Sequence, residues 1–186
     1  PADGSVTLTE TTSARAVLNI CGPRARDILQ PVCEQDISNA AFPFATARHI
    51  TVGAAPVLAV RIGYVGELGW ELHLPVEYAT TVFEALMAAG AELGLRPAGY
   101  RAIESLRLEK GYRAWGSDIG PDHTPDEAGL GWAAKLGKNI DFKGRAAVDA
   151  QRRGGVKKML ACFVVDGPDV VLSGRETIYR NGRRVG

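Results

Sequence analysis

The stretch GYVGELGWELHLP, Gly63–Pro75, decides how we interpret the rest of this chain. From Trp70 onward, large apolar side chains alternate with polar ones at a period of two residues. Such alternation is typical of a β-strand that buries one of its faces. Glu71 then lies on the face opposite the apolar side chains, and it shares that face with His73.

The glycines of this stretch predict a tight loop before the strand. If the segment were fully extended, Tyr64 and Glu71 would lie about 23 Å apart at roughly 3.3 Å per residue, too far to contact one small ligand. Glycine permits positive φ and close backbone approach. Gly66 and Gly69 therefore allow a loop that returns Glu71 towards Tyr64, so that an aromatic ring and a carboxylate face one cavity.

The chemistry of this pair suits a folate. A pterin ring is flat and carries adjacent N–H and amino donors on one edge, which a carboxylate can accept. An aromatic side chain or its hydroxyl can pack beside the ring. On residue types alone there is an alternative, a glycine-rich hairpin in which Glu71 is solvated while Tyr64 and Trp70 belong to the core.

Composition describes a globular chain and excludes several classes of partner. The 186 residues are 46% hydrophobic and 23% charged, enough for one substantial domain and part of a second. Lys and Arg number 22 against 21 Asp and Glu, and no long basic block favours binding to nucleic acid or to a membrane surface. Neither a membrane-spanning run nor a signal peptide is evident, so we expect a cytoplasmic protein.

The cysteines and histidines do not predict a disulfide framework or a metal site. Cys21, Cys33 and Cys162 are odd in number and have no C-x-x-C spacing. Buried free thiols in a reducing compartment are therefore the better interpretation. The three histidines lack the His-x-x-x-His spacing of a zinc site, and we infer no metal.

Hairpins followed by helices favour an α+β fold over a parallel βαβ sheet. No Gly-x-Gly-x-x-Gly motif follows a strand, so the sequence gives no sign of a dinucleotide-binding domain. The predicted strands cover residues 5–21, 45–52, 55–62, 70–75, 159–165 and 177–179; the predicted helices cover residues 25–32, 76–93, 97–110 and 144–153. Tight turns are expected at Gly53 and at Asn181-Gly182.

Two further patterns concern the second half of the chain. Charged side chains recur every third residue in the helix predicted over 97–110, which is more typical of a solvated helical face than of a site. Thr124-Pro125-Asp126-Glu127 predicts a helix start in which Thr124 and Glu127 form a capping box. The recurring charged residues are Arg101, Glu104, Arg107 and Lys110.

The glycine-rich stretch resembles the signature of the folate-binding aminomethyltransferase family, typified by the T-protein of the glycine cleavage system. GLRPAGYRAIESLRLEKGYRAWG, Gly94–Gly116, and the block that runs on to Lys138 resemble the next family blocks in order and spacing, so the similarity spans essentially the whole chain. Within it, SLRLEKGYRAWG resembles the folate-binding halves of dimethylglycine and sarcosine dehydrogenases more than the free-standing T-protein. Those enzymes carry an FAD domain upstream.

This resemblance implies a fold and a domain division. Antiparallel sheets with flanking helices would surround a folate cavity and be followed by a C-terminal β-barrel. Residues 1–157 would form the aminomethyltransferase-like folate-binding domain without its N-terminal part, and residues 158–186 would begin a truncated, incomplete barrel. The catalytic aspartate of the family would align before Pro1, so we assign no catalytic residue.

The resemblance also implies site residues. Tyr64 and Glu71 match the tyrosine and glutamate of the family loop, and Trp132 matches a tryptophan that flanks the pterin; these three are the expected tetrahydrofolate contacts. Ile103 stands where the T-protein carries a ligand-contacting arginine, which argues against activity on a lipoyl-bound aminomethyl group. Arg107 matches a family arginine that we expect to be structural, paired with a buried carboxylate.

The implied chemistry is transfer of a one-carbon unit to tetrahydrofolate. In the dehydrogenase branch, FAD bound in the upstream domain oxidises a methylated amine, and the folate captures the carbon. We therefore expect the tetrahydrofolate-binding part of a dimethylglycine or sarcosine dehydrogenase-like enzyme, with the amine and the FAD domain as partners and an oligomer possible. A glycine cleavage T-protein is one alternative, and a non-catalytic folate-binding module is another. The latter branch would show a cysteine in its Lys-Gly-Cys-Tyr block, which Lys110-Gly111-Tyr112-Arg113 lacks.

Overall fold

The computed structural model of the chain describes residues 3–186, which form two units, one that ends at Arg113 and one that runs from Ala114 to Gly186. The first unit contains the larger sheet with three helices, and the second contains one helix and a small hairpin. The strands are β1 (Arg15–Cys21), β2 (Ala47–Val52), β3 (Ala55–Val60), β4 (Gly69–Pro75), β5 (Tyr179–Arg180) and β6 (Arg183–Arg184); the helices are α1 (Ala25–Leu29), α2 (Ala79–Gly90), α3 (Tyr100–Glu109) and α4 (Arg145–Gly154).

Strand β4 is central to the four-stranded sheet of the first unit, whose order is β1-β4-β3-β2. All three strand pairs are antiparallel. Strand β4 pairs with β1 along its whole length, so that Glu71 lies opposite Asn19, and on its other side Glu71 lies opposite Val60 of β3. Strands β2 and β3 form the predicted hairpin, which turns at Gly53 with φ of 58°.

The predicted alternation along β4 is confirmed by burial. Trp70, Leu72 and Leu74 are 0% exposed, whereas Glu71 and His73 are only partly buried on the opposite face. Side chains from α1 and α2 cover the apolar face. Complete burial of each large apolar side chain contributes about 1.5–3 kcal/mol, so this face supplies the core of the unit. The core residues from the two helices include Ile28, Leu29, Val82 and Leu86.

Two arginines lie against the buried Trp70 indole. The guanidinium carbons of Arg26 and Arg61 lie 5.5 Å and 5.7 Å from its ring centroid. Arg26 Nε donates to the Ile37 carbonyl at 3.0 Å, and Arg61 Nη1 donates to the Phe42 carbonyl at 2.5 Å. Burial, and after it the charge of Arg26, lowers the pKa of Arg61. The two side chains thus fix the loop between α1 and β2 beside the core.

The helices of the first unit follow the predicted pattern with shorter α-helical parts. Helix α2 lies between two 3₁₀ turns, and together they cover the predicted residues 76–93 before Gly94 ends them with φ of 77°. Helix α3 begins at Tyr100, three residues after the predicted Pro97, and Gly111 follows it with φ of 71°. The strand predicted over residues 5–21 is confirmed only from Arg15 onward.

The second unit contains part of what the sequence predicted. Asn181 and Gly182 have φ of 53° and 74°, as a type I′ hairpin turn requires, and they join β5 to β6. Thr124 and Glu127 form the reciprocal capping-box hydrogen bonds at 3.0 Å and 3.3 Å. The capped segment closes a single turn instead of a longer helix, because Gly129 follows with φ of 67°.

The expected beginning of a β-barrel is not confirmed. Residues 159–165, predicted as a strand, form no strand and are largely exposed, with Val164 95% exposed. A strand needs a partner to complete its hydrogen bonds, and in the described part of the chain this segment joins no sheet. The proposed boundary between residues 157 and 158 stays a prediction.

Gly69 provides a test of the β1–β4 contact. A Cβ atom at this position would lie 2.5 Å from the Ile20 carbonyl oxygen and 3.1 Å from Cys21 Cβ. We expect Gly69→Ala to lower the free energy of unfolding by about 1–3 kcal/mol, measured by urea denaturation, because β1 must move. Gly63→Ala is the control, since its Cβ would meet only Glu67 O at 3.7 Å, and it should change stability by less than about 1 kcal/mol. Equal losses would contradict this role for Gly69.

Candidate functional site

The glycine-rich loop, residues 63–68, connects β3 to β4 and lies against the C-terminal end of α3. Gly66 has φ of 76°, which confirms the predicted positive φ. Its missing side chain also matters, since a Cβ there would lie 2.6 Å from Cγ of Lys110. The aliphatic part of Lys110 therefore covers the loop backbone, and the loop and the residues after α3 form one contact region.

Tyr64 is held in this region by two contacts. Its hydroxyl donates to the Arg113 carbonyl oxygen at 2.7 Å. Its ring stacks on that of Tyr112 with centroids 6.0 Å apart and an angle of 18° between the planes. The Tyr64 side chain is nonetheless accessible, since the residue is 40% exposed. It is therefore a fixed aromatic surface that a ligand can reach.

Tyr64 lines a cavity of about 350 Å³ in the first unit. The lining is mainly apolar and comes from β1, α2, the segment after α2 and the start of α3. Ile103 also lines it and adds an apolar side chain to its wall. A mainly apolar cavity with a few polar groups is the usual form of a small-molecule site.

Glu71 lies elsewhere, on the sheet face opposite the core. Its Oε2 lies 3.4 Å from His73 Nε2, and the two side chains are 30% and 36% exposed. Glu71 is not among the residues that line the cavity of Tyr64, while His73 lines a second cavity, of about 470 Å³, with Arg15, His49 and Leu58. The structure therefore does not bring Glu71 and Tyr64 to the walls of one cavity.

Trp132 belongs to the second unit. It lies in a 3₁₀ turn, Gly131–Ala133, and is 70% exposed. Arg152 of α4 supports this turn, because its Nη2 donates to the Gly131 carbonyl at 2.6 Å while its Nε contacts both carboxylate oxygens of Asp126 at 3.1 Å. Trp132 is thus an exposed indole on a backbone that an ion pair restrains.

Arg107 corrects one interpretation of the sequence. The charged spacing on α3 predicted a solvated face, yet Arg107 is only 1% exposed. Its Nη1 donates to the Tyr112 carbonyl at 2.8 Å and its guanidinium pairs with the Glu104 carboxylate. The expected structural pairing is present, although the Glu104 side chain is 41% exposed and not buried. The contacts of Lys110 and Tyr112 with the loop were not predicted from the sequence, although Gly111 between them marks a turn at the helix end.

The cysteines also depart from expectation. Only Cys33 is buried, whereas Cys21 and Cys162 are exposed. Partial burial of the Cys21 thiol, and after it the negative charge of Glu67, raises the pKa of Cys21. Among residues 3–186 no group of three His, Cys, Asp or Glu side chains is placed to hold a metal ion.

Comparison with known families gives one match over most of the chain. The family described as the GCVT N-terminal domain matches residues 1–138. A crystal structure of the glycine cleavage system aminomethyltransferase T from Bartonella henselae has a TM-score of 0.62 and 29% sequence identity, covering 76% of this chain and 37% of that chain. This likeness agrees with the antiparallel sheet and flanking helices.

Two mammalian proteins are more similar in sequence. The mitochondrial sarcosine dehydrogenase of Mus musculus is 47% identical over 179 residues, 96% of this chain and 19% of that protein. The mitochondrial dimethylglycine dehydrogenase of Mus musculus is 41% identical over 181 residues, 97% of this chain and 21% of that protein. The chain thus spans about a fifth of the length of these relatives. The names of these relatives place them in mitochondria, so they do not support the expected cytoplasmic location.

Within residues 3–186 no helix is both long enough and apolar enough to span a membrane.

The contact between the loop and β1 can be tested through the Cys21 thiol. Because Glu67 raises the pKa of Cys21, Glu67→Gln should lower that pKa and increase the thiolate fraction below it. We expect alkylation of Cys21 by iodoacetamide at pH 8 to become about twofold to threefold faster, measured by peptide mass spectrometry. Glu34→Gln is the matched control, since Glu34 acts on Cys33 instead. An unchanged rate in Glu67→Gln would show that the loop is placed differently.

Proposed function

The chain belongs to the aminomethyltransferase family defined by the GCVT N-terminal domain, and from this premise we propose that it binds tetrahydrofolate for one-carbon transfer. The observation that carries the proposal is Tyr64, an accessible ring fixed beside a mainly apolar cavity. A flat heterocycle can pack against such a ring and exclude water from it. Similarity to sarcosine and dimethylglycine dehydrogenases favours a methylated amine as the carbon source.

Three residues are proposed as cofactor contacts. Tyr64 would pack beside the pterin, and Trp132, exposed on its restrained turn, would offer a second aromatic surface. Glu71 would accept hydrogen bonds from the donor edge of the pterin, since its carboxylate is partly accessible and lies 3.4 Å from His73 Nε2. This assignment requires the bound cofactor to reach the polar face of the sheet.

Tetrahydrofolate, when bound, supplies the amine that accepts the one-carbon unit. Binding and orienting the cofactor would fall to side chains of this chain, and Tyr64 is the one held rigidly beside a cavity. Such positioning raises the effective concentration of the two reacting groups. FAD would be held by a separate domain of the dehydrogenase-like protein, because this sequence carries no dinucleotide motif.

A T-protein aminomethyltransferase is the second candidate function. The structural likeness to the Bartonella henselae aminomethyltransferase favours it. Ile103 argues against it, because an apolar side chain in the cavity cannot pair with an anionic group of the ligand. An assay of aminomethyl transfer from a lipoyl carrier distinguishes the two functions.

Replacement of Glu71 tests the proposed recognition of the pterin. Glu71→Gln keeps the size of the side chain but turns one acceptor into a donor that faces the donors of the pterin. A charge-assisted hydrogen bond contributes about 1.5–3 kcal/mol, so we expect the affinity for folinic acid, measured by calorimetry, to fall about tenfold or more. The melting temperature should stay near that of the wild type.

Glu67→Gln is the control for this experiment. It removes a carboxylate from the same glycine-rich stretch, and we expect its affinity for folinic acid to equal that of the wild type. Equal affinities for Glu67→Gln and Glu71→Gln would show that the wrong carboxylate has been assigned. Failure of the wild-type chain to bind folinic acid would overturn the proposed function itself.

A separate assay tests whether oxidation of the amine requires a flavin domain that is separate from this chain. We expect the 186-residue chain, supplied with FAD and a dye acceptor, to show no oxidation of sarcosine or dimethylglycine above background. The physical reason is that flavin binding needs a phosphate-binding loop, which we do not find in the sequence. The sarcosine dehydrogenase of Mus musculus is the positive control, and turnover by the chain alone would contradict this assignment.

A further inference from the structure

The end of α3 is the support on which the glycine-rich loop rests. Three contacts join them: Lys110 covers Gly66, the Tyr112 ring stacks on Tyr64, and the Arg113 carbonyl accepts the Tyr64 hydroxyl. The supporting residues therefore follow one another along a short turn, so the position of Tyr64 depends on the conformation of that turn.

Arg107 fixes this turn from inside the first unit. Its Nη1 donates to the Tyr112 carbonyl at 2.8 Å, and the Tyr112 amide donates back to the Arg107 carbonyl at 2.8 Å. Between them Gly111 has φ of 71°, a conformation that lets the chain reverse at the helix end. The pairing with Glu104 holds the guanidinium in place, with Nε 3.2 Å from Oε2.

The geometry of the guanidinium makes this support specific to arginine. A planar guanidinium can donate to a carboxylate and to a backbone carbonyl at the same time from fixed directions. A lysine ammonium in the same place keeps the charge but has a single nitrogen, so it cannot hold both acceptors at these positions. Loss of the side-chain contact removes one of the two hydrogen bonds between Tyr112 and residue 107, and so loosens the ring on which Tyr64 stacks.

We propose that Arg107 is a positioning residue for the cofactor site: through the Tyr112 carbonyl it sets the aromatic surface against which Tyr64 is held. This inference rests on the proposed function, since it assigns Arg107 an effect on tetrahydrofolate affinity that is transmitted by Tyr64. In the unliganded protein, we expect the Tyr64 and Tyr112 rings to separate or tilt when Arg107 is replaced.

A double-mutant cycle in the full chain tests the transmission through Tyr64. Arg107→Lys should weaken folinic acid binding about fivefold, and Tyr64→Ala should weaken it by itself. In the Tyr64→Ala background, Arg107→Lys should cause no further loss of affinity, although it should still lower the melting temperature. Additive losses of affinity would overturn the proposal, because they would show that Arg107 acts on general stability or contacts the ligand directly.

Arg101→Lys is the matched control, since Arg101 is an exposed arginine on the same helix. It should change neither folinic acid affinity nor melting temperature. If Arg107→Lys does not fold, Glu104→Gln replaces it, because loss of the carboxylate charge loosens the guanidinium without removing it. The same pattern of coupling with Tyr64→Ala is expected, at smaller size.

A readout without ligand separates this proposal from the proposed function. We expect Arg107→Lys to shift the ring signals of Tyr64 and Tyr112 in spectra of ¹³C-tyrosine-labelled protein, with assignments from Tyr64→Phe and Tyr112→Phe. Unchanged ring signals would overturn the positioning role whether or not folinic acid binds. Shifted signals together with absent binding in the wild type would support the positioning of Tyr64 and reject tetrahydrofolate as the ligand.

Discussion

The first unit depends on the close approach of β1 to β4. Strand β4 places three fully buried side chains against the helices, and it can do so because its first residue, Gly69, leaves room for the Ile20 carbonyl of β1. The hydrophobic contribution of that face exceeds any single polar contact in the unit. The glycine-rich loop therefore starts from a fixed strand end, and its other support, the turn after α3, has to meet it there.

Short-range sequence patterns predicted the strands, turns and helix ends that depend on the preferences of neighbouring residues. The alternation after Gly69, the hairpin at Gly53 and the stop at Gly111 each follow from a residue's own conformational preferences, and each is confirmed. Burial of Arg107 was missed because its acceptor, the Tyr112 carbonyl, is a backbone group that a charge pattern does not show. A guanidinium can be buried wherever carbonyls and a carboxylate satisfy it, so helical spacing alone was a poor guide.

In the candidate site, too, the sequence identified individual residues but not their arrangement. Tyr64 and Glu71 were proposed from the chemistry of the glycine-rich stretch and Trp132 from the resemblance to a family, and membership of that family is established by the match over residues 1–138. Their arrangement did not follow from the sequence. A strand residue such as Glu71 takes its direction from the pleat, so the loop glycines had less influence on it than expected. The supporting residues after α3 lie far from the loop in sequence and were therefore invisible to short-range patterns.

The environment of Trp70 has a spectroscopic consequence. Of the three tryptophans, Trp70 is 0% exposed and has two guanidinium groups near its ring, whereas Trp115 and Trp132 are 72% and 70% exposed. A buried indole emits at shorter wavelength than a hydrated one and is protected from iodide. Blue-edge emission thus reports on the first unit alone and iodide-quenchable emission on the second, so the unfolding of the two units can be followed separately in the unmodified chain.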